Sequence, residues 1–109
     1  MDKKSLYINL DAVVKERQEY FKIVLKQGWG SWKYDPECNA LVYQDSDYFI
    51  EITRINSCFN LVDWLLHLKE KTWVTNDDLA DFLTAIDDLA GGLRGKDKFK
   101  LDVLNLRVE

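Results

Sequence analysis

The sequence predicts an α+β domain: an antiparallel β-meander of about three strands, four if the tail joins, packed against three helices. Three observations carry that expectation. The stretch from Asn56 to Lys71, NSCFNLVDWLLHLKEK, is apolar over well more than half of a helical wheel. Between Trp29 and Ile55, short aromatic and aliphatic runs alternate with polar turn residues. From Thr75 to Ala90, apolar residues recur at i, i+3 and i+4.

A length of 109 residues fits a single domain over 1–109, and 47% apolar with 13% aromatic residues supplies a core without staples. Two cysteines, Cys38 and Cys58, are too few for a disulfide scaffold and are expected as free thiols. No apolar run approaches the roughly 18 residues of a membrane span, and MDKKSLYINL lacks the long apolar region of a signal peptide. The expectation is a cytoplasmic protein with no membrane partner. A net charge of −4 and a pI near 5.0 argue against broad binding to nucleic acid or anionic membranes.

In chain order, SLYINL over 5–10 reads as a short strand or a lead-in. Asp11 suits an N-cap, and from Ala12 to Gln27 the residues Val13, Val14, Tyr20, Phe21, Val24 and Leu25 share one helical face. Gly28 is placed to end that helix. Trp29 to Tyr34, Ala40 to Gln44 and Tyr48 to Ile55 read as strands, joined by the turns Asp35–Asn39 and Asp45–Asp47. In the third strand Tyr48, Ile50 and Ile52 face one way, and Phe49, Glu51, Thr53 and Ile55 the other. Ser57 is a natural cap for the second helix, with Asn60 as the competing choice, and that helix has an apolar arc roughly twice that of an ordinary surface helix. That breadth predicts a central helix covered on two sides, with Trp64 and Trp73 in the core. Thr75 caps the third helix, and Asp77 and Asp78 suit its positive end. Leu79, Phe82, Leu83, Ile86, Leu89 and Ala90 form its inner face up to Gly91-Gly92. The tail over 93–109 is expected as a bulged edge strand or a flexible segment.

The run Tyr48-Phe49-Ile50-Glu51-Ile52-Thr53-Arg54-Ile55, then Leu61-Val62-Asp63-Trp64-Leu65, then Lys71-Thr72-Trp73, leads into a helix with Leu79 and Ala85-Ile86-Asp87-Asp88. This pattern resembles a group of small bacterial, phage and plasmid proteins with the form Y-x-I-x-L-x-R…LDW…K-x-W. The resemblance covers under half of the chain and implies a strand–helix–helix core. No activity is assigned to that group, so it implies none here.

The expected function is binding of another protein without catalysis. An inhibitor- or immunity-type role against a host protein suits the size, the acidity and the resemblance to mobile-element proteins. Two groups of residues are candidates for the contact. Asp77, Asp81 and Asp88 fall opposite the apolar face of the third helix, and Asp87 joins them near its C-terminal end, where acids are unfavourable. Trp29, Trp32 and Tyr34 are of the types that anchor interfaces, although a small domain also needs such residues as core. The alternatives are a nucleic-acid-binding regulator using Arg94, Lys96, Lys98 and Lys100, a small enzyme using His67 with Asp63 one turn before it, and a homo-oligomer. No metal-ligand spacing, phosphate loop or activated nucleophile stands out, and no cofactor is expected.

Overall fold

The computed structural model describes residues 25–44 and 46–106. SLYINL and nearly all of the expected first helix lie outside the described residues. Residues 25–27 are helical, and Gly28 follows them with φ +66°, the left-handed conformation that ends a helix without a Cβ clash.

The fold is α+β, with a three-stranded antiparallel meander. Strands β1 (Trp32–Asp35), β2 (Ala40–Tyr43) and β3 (Phe49–Glu51) lie side by side in that order. Trp32 pairs with Tyr43, Tyr34 with Leu41, and Leu41 with Ile50, so period-2 alternation puts these side chains on one face. Lys33, Val42 and Phe49 form a row on the other face. The β1–β2 turn is locked locally: the Asp35 carboxylate accepts from the Glu37 N–H at 2.9 Å, and Asn39 sits at φ +50°.

Two boundaries differ from expectation. The first strand starts at Trp32, because Trp29 and Trp32 close a tight turn on each other through Trp29 N–H to Trp32 O (2.7 Å) and Trp32 N–H to Trp29 O (3.0 Å). The third strand ends at Glu51, and a 3-10 turn over Ile52–Arg54 breaks the alternation. Ile52 and Ile55 are both buried for that reason, although a continuous strand would have placed them on opposite faces.

Helix α1 (Cys58–Lys69) is capped by Ser57, whose hydroxyl accepts from the Asn60 N–H at 3.2 Å. Helix α2 (Asn76–Leu89) opens with a full capping box: Thr75 Oγ1 accepts from the Asp78 N–H, and the Asp78 carboxylate accepts from the Thr75 N–H. Phe82, Ala85, Ile86 and Leu89 are buried against the inner sheet face. The Trp32 ring lies at their centre, fully buried, with Phe82 5.0 Å and Tyr43 5.2 Å away between centroids. Leu83, expected on the inner face, is exposed.

The expectation of a central α1 covered on two sides is not met. Only Leu61 and Leu68 are fully buried, with Trp64 and Leu65 half-buried beside them. Phe59 is 80% exposed, Val62 52% and Leu66 49%. The helix is apolar on opposite sides, and the other described residues cover one of them.

The tail is neither a strand of the sheet nor loose over the described residues. Phe99 N–H donates to Asn56 O and Cys58 N–H to Asp97 O, which fixes residues 97–99 against the start of α1. Further on, the Asp102 N–H (3.0 Å) and Asn105 Nδ2 (2.7 Å) both donate to Leu89 O, and Lys96 Nζ reaches Ala90 O at 3.3 Å. These bonds satisfy carbonyls that every helix leaves open at its C-terminal end. Leu101 and Leu106 complete the core, with a short 3-10 turn over Val103–Asn105 between them.

Gly30 tests how closely α2 approaches the turn before the sheet. It has φ +61°, and a Cβ there would fall 1.9 Å from Asp81 Oδ2. Gly30→Ala is expected to destabilise the domain by more than about 1 kcal/mol, read as a lower denaturation midpoint at unchanged m-value.

Candidate functional site

The acidic residues of α2 do not form one free strip. Asp78 is buried at 6% exposure and accepts the Tyr43 hydroxyl at 2.7 Å as well as the Thr75 N–H at 3.0 Å. Burial pushes this carboxyl up, but the bonds from Thr75 and Tyr43 outweigh it together and hold the group below its ordinary value. The same contact holds the Tyr43 phenol above its usual range, and burial adds to that shift. Asp88 accepts the Trp29 indole N–H at 2.8 Å. Asp87 accepts the Leu93 N–H at 2.7 Å and so stabilises the turn that follows the helix. This bond accounts for an acid placed near a helix C-terminus. Asp81 is half-buried over Gly30. Asp77 alone of the four candidate acids is exposed without a hydrogen bond among the described residues.

The aromatic candidates are also engaged inside the fold. Trp29 and Trp32 are buried, and the Trp32 indole N–H donates to Asp78 O at 3.0 Å. Tyr34 is half-buried, with its hydroxyl on Asn39 Oδ1. Trp29 and Trp32 are therefore core residues, and Tyr34 is partly open to solvent. Of the two tryptophans expected in the core, Trp64 is half-buried and packs against it, while Trp73 is 40% exposed. Trp73 follows α1 in a non-helical turn that lays its ring over the sheet tyrosines.

His67 is exposed, and its ring meets the Trp64 ring edge-on at 5.7 Å. Neither Asp63 nor Glu70 is within ion-pair distance of it; among the described residues the one ion pair is Arg54 with Glu51. The acid–imidazole pair that the enzyme alternative needs is therefore not assembled among the described residues. Arg94, Lys96, Lys98 and Lys100 are all exposed, but Lys96 is directed at the end of α2. Cys38 and Cys58 are free thiols, and the Cys58 thiol lies 2.9 Å from Lys96 O. The described residues contain no cluster of three or more His, Cys, Asp or Glu side chains suited to a metal ion. No helix among them is long and apolar enough to cross a membrane.

Two surface features stand out that the sequence reading did not single out. One is the bare stripe of α1 formed by Phe59, Val62 and Leu66. At i, i+3 and i+7 these residues fall within about 60° of one another on the wheel, opposite the buried Leu61 and Leu68. The other is an open hollow of about 500 Å³ lined by Tyr43, Gln44, Ser46, Tyr48, Lys71 and Trp73. The Trp73 ring is tilted against Tyr43 at 4.6 Å and set edge-on to Tyr48 at 5.3 Å. Lys71 Nζ lies 4.9 Å from the Tyr48 ring centroid and 5.9 Å from that of Trp73. The signals were in the chain: an α1 wheel too apolar for one covered face, and a lysine two residues from a tryptophan.

Asp78 gives a pH signature. A carboxyl whose folded pKa is lowered adds stability above its unfolded pKa of about 3.9, and that stability is lost as pH falls through the folded value. Asp78→Asn is expected to cost about 1–3 kcal/mol near neutral pH. The gap between the two proteins should narrow below about pH 4, as read by urea unfolding at stepped pH.

No protein-family model, curated protein or solved structure matches this chain, so what its surfaces do rests on their own geometry.

Proposed function

We propose that this domain binds another protein without catalysing a reaction, through the bare face of α1 in place of the acidic face of α2. One observation carries the reading: a contiguous apolar stripe, Phe59–Val62–Leu66, on the solvent side of a helix already anchored by its opposite side. Single exposed apolar residues are ordinary, but aligned ones mark contact surfaces. The spacing suits a partner helix whose apolar side chains seat along the stripe. Asp63 and Glu70 border one edge of the stripe and Lys69 the other, which favours a partner helix with basic residues beside its apolar face. An inhibitor- or immunity-type role is the form of binding that suits a small acidic domain with a helix face left open among the described residues.

The test is capture from a nuclease-treated bacterial lysate by the intact protein and by a Phe59→Ser/Val62→Ser/Leu66→Ser variant. These side chains are largely exposed, so the triple variant should hold its stability to within about 1.5 kcal/mol. The expected result is a protein retained by the parent and reduced at least tenfold in the variant, with Asp77→Asn retaining it fully. A partner held equally by the serine variant, or material lost on nuclease treatment, overturns the reading. A concentration-dependent dimer of the parent, absent in the variant, would instead assign the stripe to a second copy.

A further inference from the structure

We propose that the aromatic hollow between the β2–β3 turn and the segment after α1 is a binding site for a nucleotide, with the base on Trp73 and the phosphate on Lys71. The hollow shares no lining residue with the α1 stripe, so this site is independent of the protein-binding reading.

Trp73 is 40% exposed, and its ring contacts with Tyr43 and Tyr48 are tilted by 56° and 67°. Neither neighbour stacks flat on the indole, so a planar ligand can meet the part of the ring that is open to solvent. Base–aromatic stacking of this kind tolerates any base, because each has a π-face. Lys71 supplies the second element. Its ammonium lies over the Tyr48 ring and, at a greater distance, over the Trp73 ring, outside ion-pair range of every described carboxylate. A cation set on an aromatic surface favours a ligand that is both planar and anionic, which describes a nucleotide better than a neutral ring or a second cation.

The remaining lining completes the shape. Ser46 is committed to the turn: its hydroxyl donates to Tyr43 O at 3.3 Å and accepts from the Tyr48 N–H at 3.0 Å. The Gln44 amide is exposed at the hollow and can donate to and accept from a base edge. Tyr43, Gln44 and Ser46 also line a second hollow of about 480 Å³ that reaches Lys33 and Asp47. Lys33 and Asp47 offset each other in charge at that end, whereas Lys71 has no described carboxylate in ion-pair range, which places the anion at Lys71. A free nucleotide and the end of a single strand share this chemistry. With a net charge of −4 on the chain, affinity has to come from the hollow itself and is weak.

The experiment follows the tryptophan indole N–H resonances of the full chain by NMR while adenosine 5′-monophosphate is added, with the Trp73 signal assigned by its loss in Trp73→Leu. The expected result is a saturable shift of Trp73 and none for the buried, hydrogen-bonded Trp29 and Trp32. Adenosine without phosphate and ribose 5-phosphate without base should each bind about tenfold more weakly. Lys71→Met should weaken the monophosphate by about the same factor and leave adenosine unchanged. A short oligothymidylate that binds more tightly than the monophosphate identifies a strand as the natural source; equal or weaker binding identifies the free nucleotide. Absence of a saturable Trp73 shift overturns the proposal. So does an unchanged monophosphate affinity in Lys71→Met, or preferential binding of a trimethylammonium cation over the monophosphate.

Discussion

The fold depends on one buried carboxylate. Asp78 closes the capping box of α2 with Thr75 and accepts the Tyr43 hydroxyl from the end of β2. A single side chain thus starts the helix and fixes where that start meets the sheet. A buried carboxylate without a cation would ordinarily be costly, but oxygens supplied with directed donors keep their charge. At the other end of α2, Asp88 performs a similar tie to the Trp29 indole. The two contacts lie ten residues apart, about 15 Å along the helix axis. Between them the Trp32 ring fills the space and donates to the Asp78 carbonyl. A helix held at both ends over a large ring has little freedom to slide or rotate, so its core face is fixed by polar bonds as much as by burial.

These ties account for much of the acidic character of α2. An aspartate that accepts an indole, a phenol or a backbone N–H is part of the scaffold, and its charge is only partly available to a partner. The free surface chemistry lies elsewhere, on the solvent side of α1 and in the segment after it. The domain therefore separates its roles by helix: α2 organises the interior, while α1 is anchored by Leu61 and Leu68 and leaves its other side bare.

Much of the architecture was legible in the chain. The meander, the Ser57 and Thr75 caps, the inner face of α2 and the glycines after it follow from local patterns whose physical causes are local. What escaped was non-local. The breadth of the apolar arc on α1 is compatible with burial on two sides or with burial on one and exposure on the other, and a wheel carries no information about neighbours. Trp29 and Trp32 lie in a run that alternates like a half-exposed strand, but the turn at Gly30 and the ring contacts with α2 bury both. Trp73 reads as core by residue type and lies at the surface because the turn after α1 leads it over Tyr43 and Tyr48. The alternation of 99–108 suggested a strand, yet the open carbonyls at the end of α2 are met by Asp102 and Asn105 from that segment. Asp63 and His67 were correctly spaced for a pair, but the His67 ring lies against Trp64.

The way residues 97–105 bind the start of α1 and the end of α2 has a consequence for biosynthesis. These residues leave the ribosome after both described helices and the sheet, and until they do, the carbonyl of Leu89 and the approach to Ser57 lack their partners. The bonds that tie the sheet to α2 already span 35 and 59 residues of sequence. Over the described residues, the contacts that close the core therefore join segments far apart in sequence, a topology that slows folding.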